Sequence, residues 1–287
     1  MTPYIGIIGG SGLYQMEGLT IREERTIETP YGPPSDAFRL GELGGVPVAF
    51  LARHGRHHAI SPSEINFRAN MWALKSLGVE QIVSVSAVGS MKEAIQPGHL
   101  VLIDQFIDRT QSRPSTFFHD GIVGHVSFAD PICGTLAARL ADAATSVPTT
   151  VHRGGTYVCI EGPMFSSRAE SRLYRSWNVD VIGMTNYQEA KLAREAEICF
   201  ATIALATDYD CWHQSEADVD AASVVAVIQQ NVRHAQHLIR AALPSLPRKR
   251  DCACAAALRH AFMRPLSEAT PAAHARLRPI LQPYVAG

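Results

Sequence analysis

Ile198-Cys-Phe-Ala-Thr-Ile-Ala-Leu-Ala-Thr-Asp-Tyr-Asp-Cys-Trp212 is an apolar run that ends abruptly in two acids, Asp208 and Asp210. A strand with no polar alternation is covered on both faces, as in the largely parallel sheet of an α/β domain. Such sheets bind ligands just beyond the carboxyl ends of their strands. Because side chains alternate along a strand, residues two apart face the same way, so this spacing predicts that both carboxylates address one ligand. Capping of the following helix is the competing reading, since Asp favours such positions.

The other apolar runs end in a similar way. Tyr4–Ile8 leads into Gly9-Gly10-Ser11-Gly12-Leu13, where glycines let backbone N–H groups approach an anion and Ser11 adds a hydroxyl. No long amphipathic helix and no Gly-Lys-Ser/Thr follows, which excludes a dinucleotide fingerprint and a nucleoside-triphosphate loop. Ala37–Gly41 and Val46–Ala52 flank Glu42-Leu43-Gly44-Gly45 and read as a hairpin. The second strand empties into Arg53-His54-Gly55-Arg56-His57-His58, a basic cluster suited to phosphate or a carboxylate. Zinc is a weaker reading of these histidines: adjacent His57 and His58 point apart on a strand, and no acidic or Cys ligand lies nearby. A solvated basic loop is the third reading.

Pro62-Ser63-Glu64 opens a helix to Leu77, stopped by Gly78. The strand Gln81–Val85 then enters Ser86-Ala87-Val88-Gly89-Ser90, which reads as a small-residue turn with a hydroxyl at its start. His99–Ile103 is a strand delivering Asp104 to Arg109, and a polar, aromatic loop continues to about Asp130, a length that is usually functional. A helix over Pro131–Ala144 and a strand around Gly155–Ile160 lead to Glu161-Gly162-Pro163-Met164-Phe165-Ser166-Ser167. Ser166 or Ser167 caps the next helix, while Phe165 either packs in the core or stacks on a planar ligand. A short strand at Val179–Ile182 is joined by Met184-Thr185-Asn186-Tyr187 to a helix through Glu195. Beyond the opening stretch, a long amphipathic helix spans about Asp218 to Leu243 and is stopped by Pro244 and Pro247.

The chain of 287 residues is 46% hydrophobic and carries a formal net charge of −1. Its length buries a substantial core. The charge gives no support to a nucleic-acid or anionic-membrane partner, since both need clustered positive charge. No apolar stretch approaches a membrane span and the N-terminus enters a strand directly, so the expected compartment is the cytoplasm. There is no internal repeat: residues 1–243 read as one domain, and 244–287 as an extension that docks on this subunit or on a neighbour. The cysteines are 133, 159, 199, 211, 252 and 254. Cys252-Ala-Cys254 has the form of a redox pair or half a metal site, but no second Cys/His pair at ligand spacing accompanies it, and idle thiols are the plainer reading.

The strand ends sort into two chemistries. Ser11, Arg53, His54, Ser86 and Thr185 offer donors to a small oxyanion, whereas Phe165, Ser166, Asp208 and Asp210 offer a planar surface and acceptors or acids to a neutral heterocycle. An anion beside a protonatable ring points to transfer of a glycosyl group to phosphate.

Five segments in order, Ile5–Leu13, Ala52–His58, Ile103–Thr110, Ile160–Glu170 and Ala206–Trp212, resemble the trimeric purine nucleoside phosphorylase family on its methylthioadenosine-cleaving branch. The resemblance runs from Tyr4 to about Leu243. It implies one α/β domain with a central mixed, largely buried sheet flanked by helices, and a homotrimer or dimer of trimers. It also implies reversible cleavage of 5′-methylthioadenosine by phosphate to adenine and 5-methylthioribose 1-phosphate, a step of methionine and purine salvage. Phosphate is then a co-substrate, and no metal or organic cofactor is implied. Carried over by motif, Ser11, Arg53, His54, Ser86, Ala87 and Thr185 would bind phosphate, and Met184 would pack on the ribose. Phe165, Ser166, Asp208 and Asp210 would hold the adenine, and His125 would complete a neighbouring subunit's site. Gln188 stands where relatives often have Pro before the Glu, and the tail after Leu243 matches poorly.

Breaking a glycosidic bond leaves positive charge on the sugar and negative charge on the purine, so protonated Asp208 near N7 is the expected acid. Acid catalysis of this kind is worth roughly 10²–10⁴ in rate, and burial beside a second carboxylate raises the pKa of one of the pair. The resemblance selects a 6-aminopurine. Carboxyl oxygens accept from an exocyclic amino group, whereas relatives that cleave inosine and guanosine use Asn in place of Asp208, whose amide donates to a 6-oxo group. A 6-oxopurine nucleoside or methylthioinosine phosphorylase is the runner-up, and a non-catalytic nucleoside-binding protein is the rival from another class.

Overall fold

A computed structural model of the chain describes residues 4–10, 12–13, 16–213, 221–247 and 249–285. The strands are β1 (Ile5–Gly9), β2 (Leu19–Arg25), β3 (Phe38–Leu43), β4 (Val46–Ala52), β5 (Gln81–Ser90), β6 (Leu100–Leu102), β7 (Gln105–Arg109), β8 (Val151–Arg153), β9 (Thr156–Ile160), β10 (Val181–Gly183) and β11 (Cys199–Asp208). The helices are α1 (Phe67–Ser76), α2 (Gly134–Ala143), α3 (Arg168–Ser176), α4 (Asn186–Glu195), α5 (Ala221–Ala242) and α6 (Pro271–Val285).

All these strands join one mixed sheet in the order β2-β3-β4-β1-β5-β10-β9-β7, with β11 pairing β5 and β6, and β6 pairing β8. The opening stretch is indeed a buried strand: every residue of β11 before Asp208 is covered. It runs parallel to β5 and antiparallel to β6. Strand β5 is the branch point. On the edge away from β11 it pairs with β1 at residues 81–84 and with β10 only at Gly89 and Ser90. The sheet therefore forks, and among the described residues no strand pairs with Val85 to Val88 on that side.

Several boundaries depart from the sequence reading. Ser86 to Ser90 is not a turn, because the strand continues through it; Gly89 is required because the fork is crowded at that point. A Cβ on Gly89 would lie 2.9 Å from Asp208 Oδ1 and 3.0 Å from an Ile182 methyl. Helix α1 starts at Phe67 rather than at Pro62: Asn66 is its N-cap, accepting from Ala69 N–H at 3.1 Å. Ser167, not Ser166, caps α3, in a reciprocal capping box with Glu170. Strand β2 (LTIREER) went unread because its charged, mostly exposed residues belong to a sheet edge, where charge discourages pairing with other chains.

The tail docks on its own chain. Leu258, Ala261, Ala273, Leu277, Ile280 and Leu281 are buried in the same hydrophobic cluster as β1, β4 and β11. Trp72 Nε1 on α1 donates to Arg276 O on α6 at 2.8 Å. Among the described residues no helix is long and apolar enough to cross a membrane.

Candidate active site

A cavity of about 590 Å³ opens in the fork, lined by Val85 to Gly89 of β5 together with the ends of β4, β10 and β11. The volume suits a small-molecule ligand, for which pockets of roughly 300–1,000 Å³ are usual. Of the residues singled out above, Arg53, His54, Ser86, Ala87, Phe165, Ser166, Met184, Thr185, Asp208 and Asp210 all line it. Ser11 lies outside the described residues, while Gly10 and Leu13 beside it line the cavity. His125 lies elsewhere, exposed in the loop after β7, with its N–H on Ala261 O at 2.8 Å.

The basic cluster after β4 divides: Arg53, His54 and His58 line the cavity, and the other two do not. Arg56 turns outward to Asp36 at 2.7 Å, and His57 is exposed. Arg53 is buried and its guanidinium is largely committed: Nε and Nη2 pair with Glu189 of α4 at 2.5 and 3.0 Å, Nη2 also meets Ser84 Oγ, and Nη1 donates to Val85 O at 3.0 Å. A guanidinium has five N–H groups, so Arg53 acts as a fixed brace with one N–H unspent among the described residues. His54, unlike Arg53, is not a cation. Its Nδ1 lies 2.8 Å from Ile60 O, which places the proton there, and burial, reinforced by the neighbouring Arg53 charge, holds its pKa down to about 4.

The remaining anion donors are dipolar. Thr185 is the N-cap of α4 yet makes no side-chain cap bond, so its hydroxyl and the positive end of that helix are available to an anion. Ser86 Oγ lies 3.3 Å from Tyr157 Oη, and the Tyr157 ring passes under Gly183 so closely that a Cβ there would be 2.0 Å from the phenol oxygen. Ala87, the exposed residue of β5, presents backbone to the unpaired side of the fork.

The base side is acidic. Asp208 is the last residue of β11, after a register shift between Ala206 and Asp208. Asp210 lies beyond the strand at φ 53°, so the pair is gathered by a turn rather than by strand alternation. The Asp210 N–H donates to Asp208 Oδ1 at 2.7 Å, and among the described residues neither oxygen of Asp208 caps a helix. Burial pushes both carboxyl pKa values up, and the Asp208 charge pushes Asp210 further. Thr207 Oγ1 has one proton and two oxygens in reach, Asp208 Oδ2 at 2.7 Å and Val88 O at 3.2 Å. It donates to an ionised Asp208; when Asp208 is neutral, Asp208 donates to Thr207 and Thr207 to Val88. Both protonation states are therefore satisfied without rearrangement.

Phe165 is 44% exposed and faces the cavity, which removes the core-packing reading. Ser166 lines the cavity, and its buried Oγ has no hydrogen-bond partner among the described residues. Met184 packs on Gly162, where any Cβ would meet its sulfur at 2.5 Å. The sequence reading missed the bracing set Ser84, Asn186 and Glu189, all fully or nearly buried; a Glu inside an amphipathic helix gives no signal of an arginine partner so far away in sequence.

Cysteine placement overturns one expectation. Cys252 and Cys254 are not alone: Cys133 and Cys199 join them in a four-sulfur cluster. Their sequence separation hid them.

Comparison with known proteins agrees with this geometry. Residues 4–244 match the phosphorylase superfamily. The chain is 56% identical to the S-methyl-5′-thioadenosine phosphorylase of Geobacter sulfurreducens over 99% of its own length and 100% of that protein's. Its fold is similar to a methylthioadenosine phosphorylase from an antarctic soil metagenomic library, with TM-score 0.92, 49% identity, and 98% and 100% of the two chains covered. It is also similar to the Schistosoma mansoni methylthioadenosine phosphorylase in complex with adenine, with TM-score 0.86, 33% identity, and 91% and 99% covered. The chain belongs to the phosphorylase superfamily and, within it, to the methylthioadenosine phosphorylase family.

Proposed function

We propose that the cavity carries out reversible phosphorolysis of 5′-methylthioadenosine to adenine and 5-methylthioribose 1-phosphate, a pentosyl transfer in methionine salvage. The observation that carries the reading is the pair of carboxyls, their pKa values raised by burial, in the same cavity as an anion cradle. Phosphate is the co-substrate, and the reaction draws on no catalytic metal or organic cofactor.

Phosphate would sit between the N-terminal end of α4, Thr185, Ser86, the Ala87 backbone, the spare N–H of Arg53 and the His54 ring, with Ser11 completing the cradle. The sugar rests on Met184. The purine lies against Phe165, with Ser166 Oγ donating to it and Asp210 accepting from the exocyclic amino group. As the glycosidic bond lengthens, neutral Asp208 delivers its proton to N7 and the resulting carboxylate takes up the Thr207 hydroxyl. Phosphate closes on the electron-poor anomeric carbon from the other side of the ring. The leaving group is thereby neutralised as it forms, where transition-state stabilisation counts most.

Incubating the protein with methylthioadenosine, with and without phosphate, tests the reading: adenine release that requires phosphate is expected, and its absence overturns it. Comparing kcat/KM for methylthioadenosine, adenosine, inosine and methylthioinosine tests the 6-amino assignment, which a preference for inosine would sink. The assembly is proposed to be a homotrimer in the cytoplasm, with His125 reaching a neighbour's site. Light scattering should give three times the 31.2 kDa chain mass, and a monomeric, fully active protein would dismiss the role of His125.

A further inference from the structure

Cys133 immediately precedes α2, Cys199 begins β11, and Cys252 and Cys254 lie in the tail. Their four Sγ atoms all lie within 4.8 Å of one another. Cys199 to Cys252 is 3.3 Å and Cys133 to Cys252 is 3.8 Å. Sulfurs at the corners of a tetrahedron around zinc, each about 2.3 Å from the metal, lie about 3.8 Å apart. The cluster has that size.

We propose that Cys133, Cys199, Cys252 and Cys254 form a structural zinc site that fastens the C-terminal tail to the start of β11 and α2. An all-thiolate tetrahedral set selects zinc over the hard cations that prefer oxygen. Four protein ligands leave no open position for a reacting water, and none of the four lines the catalytic cavity, so the site is structural. Its surroundings suit the excess negative charge of four thiolates on one divalent ion. Cys133 is the N-cap of α2, at the positive end of that helix. Cys133, Cys199 and Cys254 are buried, while the half-buried Cys252 marks the entry path. Binding releases the thiol protons to water.

The test uses the full chain purified under reducing conditions without chelator. Elemental analysis should find one zinc per chain. Reconstitution of the stripped protein with cobalt(II) should give the intense thiolate-to-cobalt absorption of a tetrahedral sulfur site. Cys252→Ser and Cys254→Ser should lose the zinc and melt at lower temperature, whereas Cys159→Ala, outside the cluster, should keep it. Removing zinc should lower the Tm of the native chain, a readout independent of catalysis. Protein that holds no zinc and, once reduced, gives no thiolate–cobalt spectrum overturns the proposal, whether its sulfurs were isolated as thiols or disulfides. Zinc retained unchanged in both serine variants overturns it too. If the serine variants fail to fold, the cobalt spectrum of the native sequence decides.

Discussion

Replacing Asp208 with Asn removes the transferable proton while leaving almost everything else in place. In the neutral state, Asp208 accepts the Asp210 N–H on Oδ1 and donates to Thr207, which donates to Val88 O. An Asn amide repeats this pattern, with its oxygen toward Asp210 and its NH₂ toward Thr207, so the fold should survive. The catalytic loss is that of a general acid, roughly 10²–10⁴ in kcat, or about 3–5 kcal/mol of barrier. The pH dependence has a definite sign. Burial raises the Asp208 pKa, so the native enzyme should lose activity as pH rises through the raised value and the acid ionises; the Asp208→Asn variant should lack that alkaline limb. The stability of the native protein should share that sign. A carboxyl with a raised folded-state pKa contributes stability that is fully present below its unfolded pKa and is lost as pH climbs through the folded one. An amide side chain does not titrate, so at neutral and alkaline pH the variant should melt no lower than the native protein. Steady-state phosphorolysis across a pH series, paired with thermal melts, measures both. Undiminished turnover, or an alkaline limb that persists in the variant, would refute the acid role.

Three further substitutions probe other parts of the site and the fold. Phe165→Ala should raise KM for the nucleoside by roughly 5- to 150-fold, from about 1–3 kcal/mol of base stacking, and leave the phosphate KM alone; an equal rise in both would show that Phe165 acts through the fold. Glu189→Gln weakens a buried ion pair whose side chains are 3–4% exposed. It should cost up to about 3–5 kcal/mol in urea unfolding and raise the phosphate KM more than the nucleoside KM, and an unchanged urea midpoint would show that Arg53 needs no partner. Leu258→Ala, in the tail, removes a fully buried side chain and should cost about 2–5 kcal/mol in one cooperative transition. A separate low-stability transition would show that the tail folds apart from the sheet.

The features of the fold most legible in sequence are those governed by local pattern. The unbroken apolar run of β11, the double glycine between β3 and β4, and the proline stop after α5 each carry their own physical cause, and each is found. Most of the cavity was legible because strand ends in an α/β sheet converge. Strand β5 was misjudged at Ser86 because small residues signal a turn and a crowded sheet fork alike. The charge of the Arg53 cluster was overestimated because the sequence shows neither Glu189 closing on the guanidinium nor the burial that keeps His54 neutral. The cysteine cluster was illegible for a similar reason: its members are distant along the chain and meet only once β11, α2 and the tail are packed.

The fork in the sheet has a consequence for where the protein is weakest. Val85 to Val88 lie between the last rung that β5 shares with β1 and the first it shares with β10, so their amides on that edge are protected by no neighbouring backbone. In the ligand-free protein the seam should open more readily than the rest of the strand, and it should exchange its amide hydrogens first. Phosphate bound as proposed against Ser86 and Ala87 would supply the acceptors that a missing strand would have supplied. In that placement substrate would complete the sheet as well as occupy it, and should stabilise the fold in proportion to the logarithm of its concentration over Kd.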